Sequence, residues 1–308
     1  MKSKPAVSRT FRRLTALAAG GVLLASLSPA VAAPADPSYL QKIETWQKER
    51  VQGLKEEDGW LTLVGLYWLD EGENRFGSDP GNKVIFPEGK APALAGSLVR
   101  EGKKVRIRVT PGSAVTVDGK LITGMDLAAD ITGEPTVLEL GTVSFFVIER
   151  GDRIGVRIKD KASPALTSFH GLDFYPVRTD WRIDARFEPY NPPKKVAVPN
   201  VLGQVNESDS PGAVVFDREG KTWRLDTLGS VDKGLSVIFA DATNGKETYG
   251  AGRFLELGPL QDGKVEVDFN TAYNPPCAYT AFATCPLPPA GNKLALGVTA
   301  GEKKFGDH

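Results

Sequence analysis

From residue 60 onward, hydrophobic and polar residues alternate in short runs, which is typical of β-strands with one buried face. The runs are rich in Val, Ile, Leu and aromatic residues, and Gly, Asp, Asn and Pro separate them. Two-residue pairs of the kind that adopts positive φ angles predict tight hairpins. These pairs are Asp118-Gly119, Gly151-Asp152, Glu219-Gly220 and Asp262-Gly263. The pattern predicts a mainly β protein whose antiparallel strands form a sandwich or barrel.

One helix is predicted before the strands. Asp36 is a suitable N-cap and Pro37 suits the first helical position, while Gly59 should mark the latest end of the helix. The face expected to be buried carries Leu40, Ile43, Gln47, Val51 and Leu54.

The first 32 residues have the features of a cleavable secretory signal. Residues 1–13 contain five Lys or Arg and no acidic residue, and an apolar run over residues 14–27 follows them. This run is shorter than the roughly 20 residues that span a bilayer. Small residues at Ala30 and Ala32 place the cleavage site before Ala33. We therefore expect a secreted or periplasmic protein without a transmembrane segment after cleavage, and Arg12-Arg13 leaves both the general secretory and the twin-arginine route open.

Composition excludes several classes of partner and cofactor. Lys plus Arg and Asp plus Glu each total 38, so the chain lacks the basic excess of a nucleic-acid-binding protein. With only His170 and His308, a multi-histidine metal site or an HExxH protease is excluded. The segment 241–247 fits neither a calcium-binding loop nor a phosphate loop. We expect no cofactor, no metal and no nucleic-acid partner.

The pattern divides the chain into four parts. Residues 1–32 are the signal peptide, residues 33–59 the N-terminal helix, residues 60–165 a β-sandwich domain and residues 166–308 a second β domain. The last boundary lies where a strand-dense half gives way to Ser163-Pro164 and a further turn-rich stretch.

The first strand-rich half contains an asparagine-bearing turn within residues 75–86 and a later hairpin at residues 115–119. In these features residues 64–160 resemble a forkhead-associated β-sandwich. The phosphothreonine site of that family uses an arginine after the turn glycine, and a later serine and histidine. Here Ser78 replaces the arginine, and the later positions offer Ser97 but no histidine. The resemblance implies the fold, and phosphopeptide binding is not expected.

Residues 268–289, hereafter the Cys-Pro loop, are the most unusual segment of the chain. Five prolines and four aromatic residues in this span are incompatible with a regular strand or helix, so we expect a rigid, shaped loop. It contains both cysteines, Cys277 and Cys285. Because export leads to an oxidising compartment, we predict a Cys277–Cys285 disulfide. A cysteine in such a bridge is not a nucleophile, so the alternative of a reactive cysteine with His170 as its base is disfavoured.

The Cys-Pro loop, together with residues 239–245, 248–253 and 300–303, resembles the domain-of-unknown-function 1684 (DUF1684) family. The similarity extends to residues 60–66 and 157–160, so it covers nearly all of the chain after the predicted signal. The resemblance implies no activity, because the family has none assigned.

Polar residues of these C-terminal segments are the candidate ligand-binding site. They are Arg253, Asp268, Asn270, Tyr273, Asn274, Glu302 and Lys303. Asn and Tyr side chains could line a pocket in which Arg253 or Lys303 is the cation for an anionic ligand, or the same groups could satisfy backbone atoms of an irregular loop. The leading hypothesis is a protein that binds a small or extended ligand in its C-terminal domain. The alternatives are a hydrolase with a carboxylate or Lys/Tyr-based site and a structural envelope interaction module.

Overall fold

The computed structural model describes residues 1–2 and 36–306. Residues 3–32 of the predicted signal peptide lie outside the described residues, so cleavage and export stay predictions. Among the described residues, no helix has the length and apolar character needed to cross a membrane.

The described residues contain one long helix, α1 (Pro37–Lys55), one short helix, α2 (Pro164–Thr167), and eighteen strands. The strands are β1 (Leu63–Trp68), β2 (Gly72–Gly77), β3 (Val84–Ile85), β4 (Gly96–Glu101), β5 (Lys104–Val109), β6 (Thr116–Val117), β7 (Lys120–Leu121), β8 (Gly124–Leu127), β9 (Leu138–Leu140), β10 (Val143–Arg150), β11 (Arg153–Asp160), β12 (Arg182–Pro199), β13 (Val205–Arg218), β14 (Lys221–Asp226), β15 (Leu228–Ser230), β16 (Gly234–Phe239), β17 (Arg253–Glu256) and β18 (Lys264–Asp268).

Two sheets form the first half. One has the strand order β1-β11-β10-β9-β6-β7 and the other β3-β2-β4-β5-β8. Their facing side chains make one apolar core, in which Phe76 of β2 lies 5.5 Å from Phe145 of β10 between ring centroids. The outer face of the first sheet, which carries the charged residues of β11, is therefore free to contact other parts of the chain.

The second half also contains two sheets, ordered β14-β13-β12-β18 and β15-β16-β17. Phe269 packs at the centre of their core, with ring centroids 5.5 Å from Trp181 and 5.4 Å from Phe239. Segment 294–300 adds Leu296 and Val298 to this core without forming a strand. Because residues at the far C-terminal end are built into the core, the loops before them have fixed attachment points.

The predicted fold class is confirmed: the protein is mainly β, its sheets are antiparallel apart from the β2–β3 pair, and α1 precedes them. The predicted turns are also present. Asp118, Glu219 and Asp262 have φ angles of 49°, 53° and 49°, and Gly151 has a φ of 66°. The predicted domain boundaries stay a prediction.

Helix α1 begins as predicted, because the Asp36 side chain accepts a hydrogen bond of 3.0 Å from the Ser38 N–H. Its buried face overlaps the predicted one at Ile43 and Leu54, whereas Leu40 and Val51 are half-buried. Tyr39, Ile43 and Leu54 are buried, whereas the predicted Gln47 is only half-buried. The helix packs against the second half of the chain, where Leu54 joins an apolar cluster with Tyr279. Polar residues of α1 consequently reach the C-terminal segments.

Candidate functional site

The Cys-Pro loop is fastened to both halves of the protein. Its Thr280 hydroxyl donates to the Leu63 carbonyl at 3.1 Å, and Arg150 Nε of β10 donates to the Thr284 hydroxyl at 3.1 Å. On the other side, the Tyr249 hydroxyl donates to the Cys277 carbonyl at 3.1 Å. The loop therefore connects the first sheet to the second half, which fits the rigid, shaped loop predicted from its prolines.

The two cysteines are free thiols, so the predicted disulfide is not present in this structure. They nevertheless lie side by side. The Cys277 N–H donates to Cys285 Sγ at 3.1 Å, and the Cys285 N–H donates to Cys277 Sγ at 3.4 Å. Reciprocal backbone hydrogen bonds thus hold the sulfurs together without a covalent bond, which explains how the loop keeps its shape as a dithiol.

Glu302 is the centre of a buried polar cluster. Its side chain is fully buried and accepts hydrogen bonds from Arg50 Nε at 2.7 Å, from the Asn274 N–H at 2.7 Å and from the Tyr279 hydroxyl at 2.8 Å. Burial and the Glu302 carboxylate raise the pKa of Tyr279. Burial is the largest single influence on Arg50 and lowers its pKa, but the charges and hydrogen bonds of Glu302 and Tyr279 together outweigh it, so that the pKa is raised. Glu302 and Arg50 therefore form a stable ion pair between α1 and the C-terminal segment.

The neighbours of this ion pair include three of the predicted site residues. Asn274 is fully buried, and its Nδ2 donates to the Lys303 carbonyl at 2.8 Å. The Tyr273 ring faces the Arg50 guanidinium, with 4.8 Å between the ring centroid and Arg50 Cζ. The Tyr273 hydroxyl donates to Glu256 Oε1 at 3.0 Å. The Lys303 ammonium instead lies 5.0 Å from the ring of Tyr175. The structure thus brings Tyr273, Asn274 and Glu302 together, whereas the Lys303 ammonium lies outside this cluster, over the ring of Tyr175.

Asp268 and Asn270 belong to a second cluster with Tyr39 of α1. The Tyr39 hydroxyl donates to Asp268 Oδ2 at 2.9 Å, and Asn270 Nδ2 donates to the Tyr39 hydroxyl at 2.9 Å. Asn270 also holds the backbone of Arg178, because its Oδ1 accepts from the Arg178 N–H at 3.0 Å. The cluster attaches the start of α1 to the start of the Cys-Pro loop.

Arg253 forms a third cluster. It is fully buried, pairs with Asp241 Oδ2 at 2.9 Å, and donates to the carbonyls of Val298 at 2.9 Å and Ala300 at 2.5 Å. Gly301 follows with a φ of 78°, and a Cβ there would collide with the Ala272 carbonyl, so only glycine permits this turn. Arg253 and Gly301 together place Glu302 under Arg50.

Most polar atoms of the seven predicted site residues therefore bond to protein groups in this structure; the exceptions are Asn274 Oδ1 and Arg253 Nε, which are buried without a hydrogen-bond partner among the described residues, and the Lys303 ammonium, which faces the ring of Tyr175. Asp241, Asp268 and Glu302 each have their own set of donors, so no two of these carboxylates share one cluster. Ligand binding and the hydrolase alternative at these residues stay predictions.

A cavity of about 270 Å³ lies beside the Cys-Pro loop, between the outer face of the first sheet and β17. Its wall has apolar and aromatic surfaces, two arginines and one thiol. The lining residues are Trp60, Arg150, Arg157, Phe254, Pro276, Ala283, Thr284, Cys285 and Pro286. Both halves of the chain contribute to it, and no carboxylate does.

Arg157 is the unusual member of this lining. It is 6% exposed, and its enclosed Nε has no hydrogen-bond partner among the described residues. The ring of Trp60 lies next to it, with 5.4 Å from Arg157 Cζ to the ring centroid. Burial lowers the pKa of Arg157, and the charge of Arg150 acts in the same direction, whereas the carboxylate of Asp130, which is paired with Arg150, acts in the opposite direction without outweighing them. A buried guanidinium without a counter-ion is costly, so this position is suited to an anion from outside the chain.

Arg150 adds a second, fixed cation. Its guanidinium pairs with Asp130 Oδ2 at 2.7 Å and donates to the Thr284 hydroxyl at 3.1 Å. These bonds hold Arg150 at the rim, whereas Arg157 remains unpaired at the wall. The geometry therefore combines an ion-paired arginine at the rim with an arginine that has no ion pair at the apolar wall.

Sequence reasoning did not assign a role to Arg157, Arg150, Arg50 or Trp60. A signal was present for Arg157, because strand alternation puts Ile154, Val156 and Ile158 into the core and leaves Arg157 on the opposite face of β11. Only the path of the Cys-Pro loop shows that this opposite face is covered.

Comparisons with known proteins agree with the resemblance noted in the sequence. The model of the family described as "Protein of unknown function (DUF1684)" matches residues 167–303. An uncharacterised protein of Haloarcula marismortui, solved by solution NMR, is 32% identical over 46% of this chain and 80% of its own, with a TM-score of 0.39. The chain belongs to the DUF1684 family, whose members have no assigned function.

A forkhead-associated structure, Rv0020c_FHA, also matches, with 19% identity over 31% of this chain and 92% of its own and a TM-score of 0.22. No curated protein matches the chain.

Proposed function

We propose that this protein binds a small organic anion in the cavity beside the Cys-Pro loop. The observation that carries the proposal is Arg157, a nearly fully buried arginine whose Nε has no hydrogen-bond partner among residues 36–306. A ligand carboxylate at this point would supply the missing counter-ion and would fit the planar donor fork of arginine.

The walls define the rest of the ligand. Trp60, Phe254, Pro276 and Pro286 present flat apolar surfaces, so the body of the ligand is apolar or aromatic. A volume of about 270 Å³ is just below the range of about 300–1,000 Å³ typical of small-molecule sites, which favours a compact molecule. An aromatic or branched aliphatic monocarboxylate meets both requirements. The site differs from the predicted one, because it lies between the two halves and not within the C-terminal half alone.

The test compares benzoate with its neutral isostere benzamide, using calorimetric titration and thermal unfolding. Benzoate should bind and raise the unfolding temperature, because a ligand that binds the folded state stabilises it, whereas benzamide should bind much more weakly. In Arg157→Met the affinity for benzoate should fall by about 100-fold, the loss expected when a charge-assisted pair is removed.

Arg153→Met is the matched control. Arg153 lies on the same face of β11 and stacks on Trp68 with 3.9 Å from Cζ to the ring centroid, but it does not line the cavity. It should leave benzoate affinity within about twofold of wild type. Equal binding of benzoate and benzamide, or equal losses in the two variants, would contradict the proposal. Inorganic phosphate as a third probe distinguishes a carboxylate site from a general anion site.

We also propose that the chain is exported, on the basis of the basic and apolar segments of residues 1–32. Expression in a bacterial host should yield an extracytoplasmic protein whose intact mass corresponds to a chain that starts at Ala33. Replacing Ala30 and Ala32 by bulky residues should block processing, since the cleavage site requires small side chains. Recovery of the unprocessed chain from the cytoplasm as the sole product would refute export.

A further inference from the structure

The arrangement of Cys277 and Cys285 points to chemistry that anion binding does not use. Their reciprocal N–H···S hydrogen bonds, of 3.1 and 3.4 Å, keep the sulfurs adjacent although both are thiols. Two cysteines with a purely structural role would be held together by the disulfide bond alone and would need no hydrogen bonds to their sulfurs. Here the reduced form already has a defined place for each sulfur.

The two thiols are unequal. Cys277 is half-buried, whereas Cys285 is 5% exposed. The hydrogen bond from the Cys285 side chain lowers the pKa of Cys277, and the nearby charge of Arg157 acts in the same direction. The same hydrogen bond raises the pKa of Cys285, and burial adds to that shift. Cys277 is therefore the better nucleophile, and Cys285 keeps its proton.

We propose that Cys277 and Cys285 form a thiol–disulfide exchange site, in which Cys277 attacks an external disulfide and Cys285 resolves the intermediate. This inference is independent of the proposed anion binding. It rests on the adjacency of the sulfurs, on their unequal burial and on the fixed loop between them.

The exchange is balanced in both steps. The Cys277 thiolate attacks one sulfur of a small-molecule disulfide R–S–S–R, which forms a mixed disulfide on Cys277 and releases one R–S⁻. Cys285 then transfers its proton to the released R–S⁻ and attacks Cys277 Sγ, which forms the Cys277–Cys285 bridge, breaks the bond between Cys277 and R–S, and releases the second R–S⁻. The two electrons of the dithiol have then reduced the external disulfide.

The loop favours the second step. Thr280 is tied to Leu63 and Thr284 to Arg150, so the segment between the cysteines is fixed to the first sheet. Cys285 is therefore presented to Cys277 at a high effective concentration, and the mixed disulfide should not accumulate.

The test uses the purified full chain and dithiodipyridine, whose released pyridinethione is measured by absorbance. The wild type should release two equivalents, retain no probe by mass spectrometry and contain the internal bridge. Cys285→Ser should release one equivalent and keep a stable adduct at Cys277. Cys277→Ser should react at least about tenfold more slowly, because Cys285 is buried and protonated. Serine is nearly isosteric with cysteine, and circular dichroism checks that each variant is folded.

Three results would overturn the assignment. One is equal reactivity of the two single variants, and another is a wild type that retains two probe groups. The third is a protein whose bridge resists excess dithiothreitol under native conditions, since that would identify a purely structural disulfide of the kind predicted from the sequence.

Discussion

Replacing Arg50 by methionine should lower the free energy of unfolding by about 3–5 kcal/mol, the cost of leaving one member of a buried ion pair without its partner. The Glu302 side chain is fully buried, and the Arg50 side chain is 18% exposed. Arg50 also donates to the Asn274 carbonyl at 2.9 Å, so its loss removes a second buried bond. Chemical denaturation followed by tryptophan fluorescence measures the effect.

Lys48→Met is the control for this change. Lys48 lies on the same helix, but its pair with Glu44 has an N–O distance of 4.0 Å and is largely solvent-exposed. Its replacement should change stability by less than about 0.5 kcal/mol. The double variant Arg50→Met, Glu302→Gln should recover part of the loss, since no unpaired carboxylate remains. If Arg50→Met is no worse than Lys48→Met, Glu302 does not depend on Arg50.

In contrast to Arg50→Met, Arg157→Met should raise the free energy of unfolding of the unliganded protein, by about 1 kcal/mol. The reason is that Arg157 has no counter-ion in the part of the chain that the structure describes, so methionine removes a desolvated charge while preserving most of the packing. The lost contact with Trp60 offsets some of this gain. The same denaturation assay gives the value.

Arg153→Met again serves as the reference, and it should lower stability slightly because its stacking on Trp68 is lost and no buried charge is relieved. A decrease for Arg157→Met as large as that for Arg50→Met would mean that Arg157 has a protein partner. Gain in stability together with loss of benzoate binding is the combination expected of a residue whose partner is an external ligand.

Local sequence signals were sufficient for the elements whose cause is local. Asp36 begins α1 because its side chain is two residues from the N–H that it caps. Asp118-Gly119 and Asp262-Gly263 make tight turns because those residue types adopt positive φ angles. In each case the residues that determine the structure are sequence neighbours.

The candidate site could not be obtained in this way. Arg157 is buried only because a loop more than 100 residues away covers its face of β11, as the hydrogen bond between Arg150 and Thr284, 134 residues apart, shows. Burial of Arg50 likewise depends on Glu302, at a separation of 252 residues. Alternation along a strand or helix indicates which side chains share a face, and it does not indicate what that face meets.

The cysteines show a third limit. Their spacing and the predicted export favour a disulfide. The structure contains two hydrogen-bonded thiols instead. The spacing of two cysteines determines that they can meet, whereas their redox state depends on the stability of the reduced arrangement, which arises from backbone hydrogen bonds that the sequence does not display.

The attachment of α1 has a consequence for the order of folding. Tyr39 bonds to Asp268 and Arg50 bonds to Glu302, so the first described helix finds its partners near the other end of the chain. The first sandwich can form while synthesis is still under way, but α1 must wait until residue 302 has emerged. Completion of the native state is therefore a closing step in which the first described helix docks last. Until that step the polar side chains of α1 remain in water, and the Cys-Pro loop lacks the helix that secures it.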